Sequence, residues 1–345
     1  MRELRDVPLS ARTTLRLGGP AHRLVETQTE EDLVEVVTRT DRAAEPLLVL
    51  GGGSNLVVGD GGFAGTVAAV GSRGVDVRPA GADRTGLVVA AGEPWDALVE
   101  RSVTEGWAGI EALSGIPGLV GATPVQNVGA YGQEVAETVV GVRVLDRSTG
   151  AVGTLTAADC GFGYRHSVFR GADRWVVLSV HLRLRRSDRS EPVRYAELAR
   201  VLDVPVGGTA PLAEVREAVL GLRRAKGMVL DPADPDTVSA GSFFTNPVLD
   251  PPAAAVLPPD APRWPAADGR VKVSAAWLIE QAGFRRGQVH GTAAISTKHT
   301  LALVNRGGTS ADDLLVLARE VRDGVRARFG VELSPEPLLV GCSLD

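Results

Sequence analysis

Ser114-Gly115-Ile116-Pro117-Gly118-Leu119-Val120-Gly121-Ala122-Thr123-Pro124-Val125-Gln126-Asn127-Val128-Gly129-Ala130-Tyr131-Gly132 is the stretch that decides the fold. Five glycines and two prolines in nineteen positions preclude a long helix or strand. Such a run lets backbone approach something flat or phosphorylated at close range. An irregular surface loop is the competing reading. Against it, Ile116, Leu119, Val120, Val125 and Val128 are apolar and favour burial.

A second glycine run lies upstream. Gly51-Gly52-Gly53-Ser54-Asn55 follows Pro46-Leu47-Leu48-Val49-Leu50, which reads as a buried strand. A loop of this kind can aim N–H groups at a diphosphate, and a plain tight turn is the alternative. It is not a Rossmann fingerprint, because Leu56 occupies the third glycine position. It is not a P-loop either, because no Gly-Lys-Ser/Thr follows.

Regular elements flank these runs. Thr29 is placed to cap a helix with Glu30, Glu31 and Asp32 in its first turn and Leu33, Val36 and Val37 on its apolar stripe. Residues 87–92 read as a strand, and Pro94 opens a helix to about Glu105. Val140, Val142 and Val144 alternate with Gly141, Arg143 and Leu145. Val176, Leu178, Val180 and Leu182 repeat with period two in a strand from Trp175 to Leu184. The charged stretch 185–191 is the best boundary. Beyond it, 211–226 reads as a helix with Leu212, Val215, Val219 and Leu222 on one face. Residues 250–269, rich in Pro and Ala, read as a loop. Ser310 and Asp313 resemble a capping box before a helix striped with Leu314, Leu317, Val321, Val325 and Phe329 and stopped by Gly330.

Composition excludes several classes. The 345 residues carry a net charge of −5, with no basic excess to neutralise nucleic-acid phosphates. No apolar run reaches the roughly 18 residues of a membrane span. Cys160 and Cys342 cannot make a disulfide framework, and the charged start Met1-Arg2-Glu3 has no apolar signal region. A cytoplasmic monomer is expected. The histidines His22, His166, His181, His290 and His299 are scattered, so no metal is expected. Three segments remain as carriers of chemistry: Gly163-Tyr164-Arg165-His166-Ser167-Val168-Phe169, Ala240-Gly241-Ser242-Phe243-Phe244-Thr245-Asn246-Pro247 and Leu333-Ser334-Pro335-Glu336-Pro337-Leu338. Taken alone, Arg165 reads as a surface ion pair, Ser242 as a turn hydroxyl and Glu336 as a solvated acid.

Two glycine walls, neither of Rossmann type, preceded by Thr14-Leu15-Arg16-Leu17-Gly18-Gly19, resemble the FAD-binding domain of the vanillyl-alcohol-oxidase/para-cresol-methylhydroxylase superfamily. No histidine lies near 51–55, so the FAD is expected to be non-covalent. The full set of motifs, in order along nearly the whole chain, resembles the UDP-N-acetylenolpyruvoylglucosamine reductase family, in its subclass with a substrate-closing tyrosine loop. That resemblance implies an α+β architecture. A two-part FAD-binding domain of that superfamily's type would span 1–186 (subdomains about 1–70 and 71–186). A substrate-binding α+β domain would span 187–345, with the extreme C-terminus returning to the active site.

The resemblance also implies roles. NADPH reduces FAD, and a hydride then reaches the enolpyruvyl group of UDP-N-acetylglucosamine-enolpyruvate. Arg165 stabilises the oxyanion, Ser242 protonates carbon, and Glu336 acts protonated or through a hydrogen bond to the substrate's carboxyl end. FAD contacts fall on Gly51, Gly52, Gly53, Ser54, Asn55, Leu56, Ser114, Gly115, Ile116, Pro117, Gly118, Gly121, Ala122, Thr123, Asn127, Gly129 and Arg223. Substrate contacts fall on Tyr164, Tyr195, Lys226, Asn246 and His299. The alternatives are another FAD oxidoreductase of that superfamily, acting on a small hydroxy acid or lactone, and a non-catalytic nucleotide-binding module.

Overall fold

Apolar periodicity builds two compact units, which the computed structural model describes over residues 1–345. The first comprises Met1–Val7, Ala21–Gly52 and Ala64–Ala225. The second comprises Pro8–Pro20, Gly53–Phe63 and Lys226–Asp345.

The first unit has two main sheets. One runs Arg2–Pro8, Pro20–Glu26, Phe63–Ala69, Leu47–Leu50, its last pair parallel. The other runs Ala151–Thr156, Val139–Asp146, Trp175–Arg186, Arg84–Ala90, Val75–Pro79, with Trp107–Ala108 also on the central strand. Helix α1 (Glu30–Arg42) starts as its sequence dictates, the Asp32 amide donating to the Thr29 hydroxyl at 3.1 Å. Its Leu33, Val36 and Val37 bury against Leu145, Val176 and Leu178 of the larger sheet. The valine alternation of 139–146 holds only in part. Register shifts at Val139/Gly141 and Arg143/Val144 slip the faces, leaving Val140 exposed and Leu145 buried.

Helix α2 (Trp95–Thr104) lays Trp95, Leu98 and Val99 into the core that also takes Val120 and Leu113. The glycine-rich run forms only short turns and the two-residue pair Gly129–Ala130 with Gln133–Glu134. Val120 is its one fully buried aliphatic side chain; Ile116, Leu119, Val125 and Val128 are half-buried. Helices α3 (Ala196–Val201) and α4 (Leu212–Ala225) close this unit. Their Leu198, Val215 and Val219 pack with Val193 on Ala112. The boundary expected at 186 therefore falls elsewhere, and 187–225 stays with the first unit. The charged stretch misled because Arg185 and Arg189 reach back into the following turn, bonding Glu191 and Thr209, rather than marking a solvated linker.

The second unit holds α5 (Pro251–Ala255), α6 (Ala275–Gln281) and α7 (Ala311–Phe329). A four-stranded sheet runs Ser239–Ser242, Ala302–Asn305, Ala293–Ile295, Val289–His290, and a three-stranded one Val248–Leu249, Val271–Val273, Arg263–Pro265. The 250–269 segment is thus not a plain loop. Proline suits the first turn of α5, and Arg263 donates to the carbonyls of Leu257 and Pro258, folding the segment back as an edge strand. The core joins Leu15, Leu17 and Val57 to Leu278, Ile279, Leu314, Leu317 and Val321. Helix α7 has the expected capping box at both Ser310 and Asp313, and Gly330 ends it at φ +67°. No helix is long and apolar enough to cross a membrane.

Ser310→Ala removes the hydroxyl that accepts the Asp313 amide at 3.0 Å. It should destabilise the second unit by about 1 kcal/mol. Thermal unfolding should show a lower midpoint, and an unchanged midpoint would refute the capping contribution.

Candidate functional site

In the first unit the two glycine runs meet backbone to backbone. A Cβ on Gly52 would lie 2.7 Å from Gly118 Cα, and one on Gly121 would lie 2.5 Å from the Ala91 Cβ. No side chain fits there, so glycine is required by space. The run is also pinned to the start of α2. Gly121 N–H donates to Ala91 O, Val120 N–H to Glu93 O, and Trp95 N–H to Gly118 O. Gly115 N–H donates to Asp96 Oδ1 at 2.6 Å. Asp96 also receives both Nη atoms of Arg216 from α4, at 2.7 and 3.0 Å. Burial pushes the Asp96 carboxyl up, but Arg216 and the Gly115 N–H outweigh it and hold the group below the usual carboxylate range. Its contribution to stability is therefore complete above the unfolded value of about 4 and lost only as pH falls through the lowered native value.

Several residues expected to meet the cofactor use their side chains internally. Ser114 Oγ donates to Glu111 O, and Thr123 Oγ1 to Val120 O. Asn127 donates to Glu134 Oε2 at 2.7 Å and Gly163 O at 3.0 Å, and accepts from the Ala136 amide at 3.1 Å. At these positions only backbone is left to face a ligand. Arg223 is buried on α4; burial lowers its pKa, against the pull of Tyr131 and Asp96.

Arg165 sits at the tip of a two-residue turn. Gly163 and His166 exchange both backbone hydrogen bonds, at 3.0 and 3.2 Å. Arg165 has φ +49°, a left-handed conformation that favours glycine. Its Nη2 donates to Gly129 O at 2.8 Å, and its guanidinium lies 5.6 Å from the Tyr164 ring centroid. Asn127 and Ser167, the latter bonded to Val125 O, hold the same turn against the glycine-rich run. Tyr195, half exposed ahead of α3, meets Tyr131 edge to face at 5.5 Å.

The second unit gathers Ser242, Glu336 and the end of the first glycine run. Ser242 closes the strand Ser239–Ser242 and pairs with Ala302. Glu336 N–H donates to Phe243 O at 2.8 Å, and Thr245 N–H to Ser334 O at 3.1 Å. Ser242 and Glu336, both half-buried, thus lie at the same end of one antiparallel contact. Asn55 Nδ2 donates to Glu336 O at 3.3 Å, and Leu56–Val58 pairs in parallel with Leu338–Val340. Thr14 Oγ1 reaches both Ser239 O, at 2.7 Å, and Ser54 O, at 3.5 Å. Gly53 follows from space as well: a Cβ there would lie 1.9 Å from Arg12 O. Phe243 and Phe244 are core, packed edge to face at 5.1 Å and each 1% exposed, so packing accounts for them.

Of the other substrate candidates, Asn246 Oδ1 caps α6 by accepting the Ala275 amide at 2.9 Å, and its Nδ2 faces elsewhere. His299 lies in the turn entering Ala302–Asn305, its amide on Ser296 Oγ. Lys226 is the first residue of the long second-unit segment, directly after α4. No group of His, Cys, Asp and Glu is arranged to hold a metal. Burial pushes the Cys160 thiol up to about 11, so it is no nucleophile at neutral pH. Sequence reasoning missed Asp96 and Asn305, whose Nδ2 holds Leu15 O, and quoted Thr14 within its motif without a partner. Each is an isolated polar residue whose partner is distant in sequence, and no spacing could signal it.

The chain matches the family described as UDP-N-acetylenolpyruvoylglucosamine reductase, C-terminal domain, over residues 232–340. It matches the family described as FAD binding domain over residues 21–156. It is 59% identical to the UDP-N-acetylenolpyruvoylglucosamine reductase of Salinispora arenicola (strain CNS-205), over 97% of this chain and 95% of that one. Identity to the enzyme of the same name from Thermobifida fusca (strain YX) is 56%, over 99% and 98%. The crystal structure of UDP-N-acetylenolpyruvylglucosamine reductase from Thermus caldophilus superposes with a TM-score of 0.69 at 28% identity, over 99% of both chains.

The close backbone contact of the glycine runs fits an FAD cradle. Gly52→Ala and Gly121→Ala, whose Cβ atoms would meet Gly118 and Ala91, should yield protein that loses its yellow flavin on gel filtration. Gly153→Ala, at a site with open space, should keep it. Full flavin retention by the first two would overturn the assignment of the cradle.

Proposed function

The chain belongs to the UDP-N-acetylenolpyruvoylglucosamine reductase family, and from that premise we propose how its own residues divide the reaction. The protein is an FAD oxidoreductase of peptidoglycan precursor synthesis. With NADPH as reductant, it converts the enolpyruvyl group of UDP-N-acetylglucosamine-enolpyruvate to the lactyl ether of UDP-N-acetylmuramate. When bound, FAD supplies a hydride carrier between NADPH and the terminal carbon of the enolpyruvyl double bond.

What remains for the protein is charge and a proton. Addition of hydride at the terminal carbon drives negative charge onto the carbon bearing the carboxylate and onto the carboxylate oxygens. Arg165 meets that oxyanion. Its turn is held by Asn127, Ser167 and the Gly129 carbonyl, so its guanidinium is preorganised rather than recruited. Ser242 gives its hydroxyl proton to the carbon. A serine is a weak acid, but an enolate carbon is a strong enough base to take its proton. Glu336 orients the substrate's carboxyl end. The observation that carries this division is the Glu336 N–H to Phe243 O bond of 2.8 Å, which joins the acid's main chain to the residue after the serine.

Tyr164, Tyr195, Lys226, Asn246 and His299 serve the UDP-sugar. Tyr195 is the exposed aromatic suited to close on it, and Lys226 supplies a charge for the diphosphate. Arg223 and the backbone of both glycine runs hold FAD non-covalently. We propose that it works as a monomer in the cytoplasm, the compartment of NADPH and nucleotide sugars.

Ser242→Ala tests the proton assignment. Stopped-flow absorbance should show flavin reduction by NADPH nearly unchanged, and flavin reoxidation by the enolpyruvyl substrate slowed by roughly 10²–10⁴-fold. Equal slowing of both phases would refute the role of Ser242.

A further inference from the structure

We propose that Asp96 is a positioning residue for FAD: it fixes the opening of the second glycine run, and Arg216 keeps it neutralised so that an anionic cofactor can bind there. The proposal rests on the FAD reading above. Four ties join the start of α2 to the run. Three are backbone to backbone, through Ala91, Glu93 and Trp95. The fourth, at Gly115, depends on a side chain, the Asp96 carboxylate at 2.6 Å. Gly115 has φ +72° and stands two residues before Pro117, so its N–H has no helix or strand partner to fall back on.

A carboxylate is an unexpected anchor for a loop that receives a diphosphate, because like charges repel. Arg216 resolves this. Its bidentate pairing at 2.7 and 3.0 Å offsets the charge, with the Arg216 side chain mostly buried and Asp96 partly exposed. Glu100, at 3.9 Å from Arg216, adds a second acid to the guanidinium but makes no bond to the run. Arg216 and Arg223 are seven residues apart on α4 and share a face, so the pair that anchors Gly115 also orients the helix that presents Arg223.

The test uses purified holoenzyme and FAD itself. Wild type, Asp96→Ala, Arg216→Gln and Glu100→Gln are diluted in series and the free flavin is measured after ultrafiltration. Asp96→Ala should raise the FAD dissociation constant about tenfold or more, the effect of losing a charged hydrogen bond to a buried group. Glu100→Gln should leave it unchanged. At saturating FAD, kcat of Asp96→Ala should return to the wild-type value, because the residue acts through cofactor placement. A lower thermal midpoint with unchanged FAD affinity would mean a merely structural role and overturn the proposal. Should Asp96→Ala not fold, Arg216→Gln decides: it keeps the carboxylate that accepts from Gly115 but leaves its charge uncancelled beside an anionic cofactor. Its FAD affinity should fall, and an unchanged value overturns the proposal. Wild-type protein that takes up no FAD would sink the cofactor reading itself, a result distinct from equal affinities across the variants.

Discussion

Three parallel backbone pairs, Leu338 with Leu56, Leu339 with Val57 and Val340 with Val58, are the constraint on which the second unit depends. They join the chain's last strand to a segment near its start. The neighbouring Asn55–Glu336 bond closes a separation of 281 residues. Closure entropy grows only logarithmically with loop length, about 0.6 kcal/mol per doubling, so a long closure is affordable where a core repays it. Here it is repaid by burial of Leu15, Leu17 and Val57 among the apolar side chains of α6 and α7. The consequence is topological. Segments 8–20 and 53–63 are covalently part of the first half of the chain but structurally part of the second unit. Between Gly52 and Gly53 the first glycine run passes from one unit to the other.

That constraint also sets the backbone around Ser242 and Glu336. Glu336 precedes the parallel strand by two residues, so its backbone is positioned by Leu338 N–H on Asn55 O and by its own N–H on Phe243 O. Thr14 then ties the Ser239–Ser242 strand to Ser54 through one hydroxyl. The buried Phe243 and Phe244 beside them supply the packing, each 1% exposed. Arg165 is placed in the opposite manner. Its turn is short and held by side chains, above all Asn127 with its three internal bonds.

What was legible in the sequence follows from how local the physics is. The Thr29 cap, the Ser310–Asp313 box, the Gly330 stop and the period-two strand 175–186 depend on residues within a turn or two, and each stands where expected. The motif set likewise pointed to the FAD-binding and reductase domains because the motifs are contiguous. Failures came where distant contacts decide. Residues 187–225 look like the start of a new domain until Val193, Leu198 and Val215 meet Ala112. The bulges at 139–144 are invisible to a periodicity argument, since one extra residue reverses the faces. Asp96 and Arg216, 120 residues apart, carry no signal at all until folded.

Part of the backbone strain in the first unit gathers around the glycine-rich run. Asn127, Tyr131 and Arg165 all have φ between +46° and +50°, although none is glycine. Each such residue costs of order 1–3 kcal/mol and persists only where its surroundings over-determine it. Asn127 and Arg165 belong to one hydrogen-bonded patch, through Asn127 to Gly163 O and Arg165 to Gly129 O. A glycine at 165 would make the same turn without strain and keep both Gly163–His166 bonds, but it would lose the guanidinium's bond to the Gly129 carbonyl, which ties the turn to the glycine-rich run. A guanidinium fixed 5.6 Å from the Tyr164 ring, on a turn held from three sides, has its position set in advance, which is what the oxyanion-stabilising role proposed for it requires.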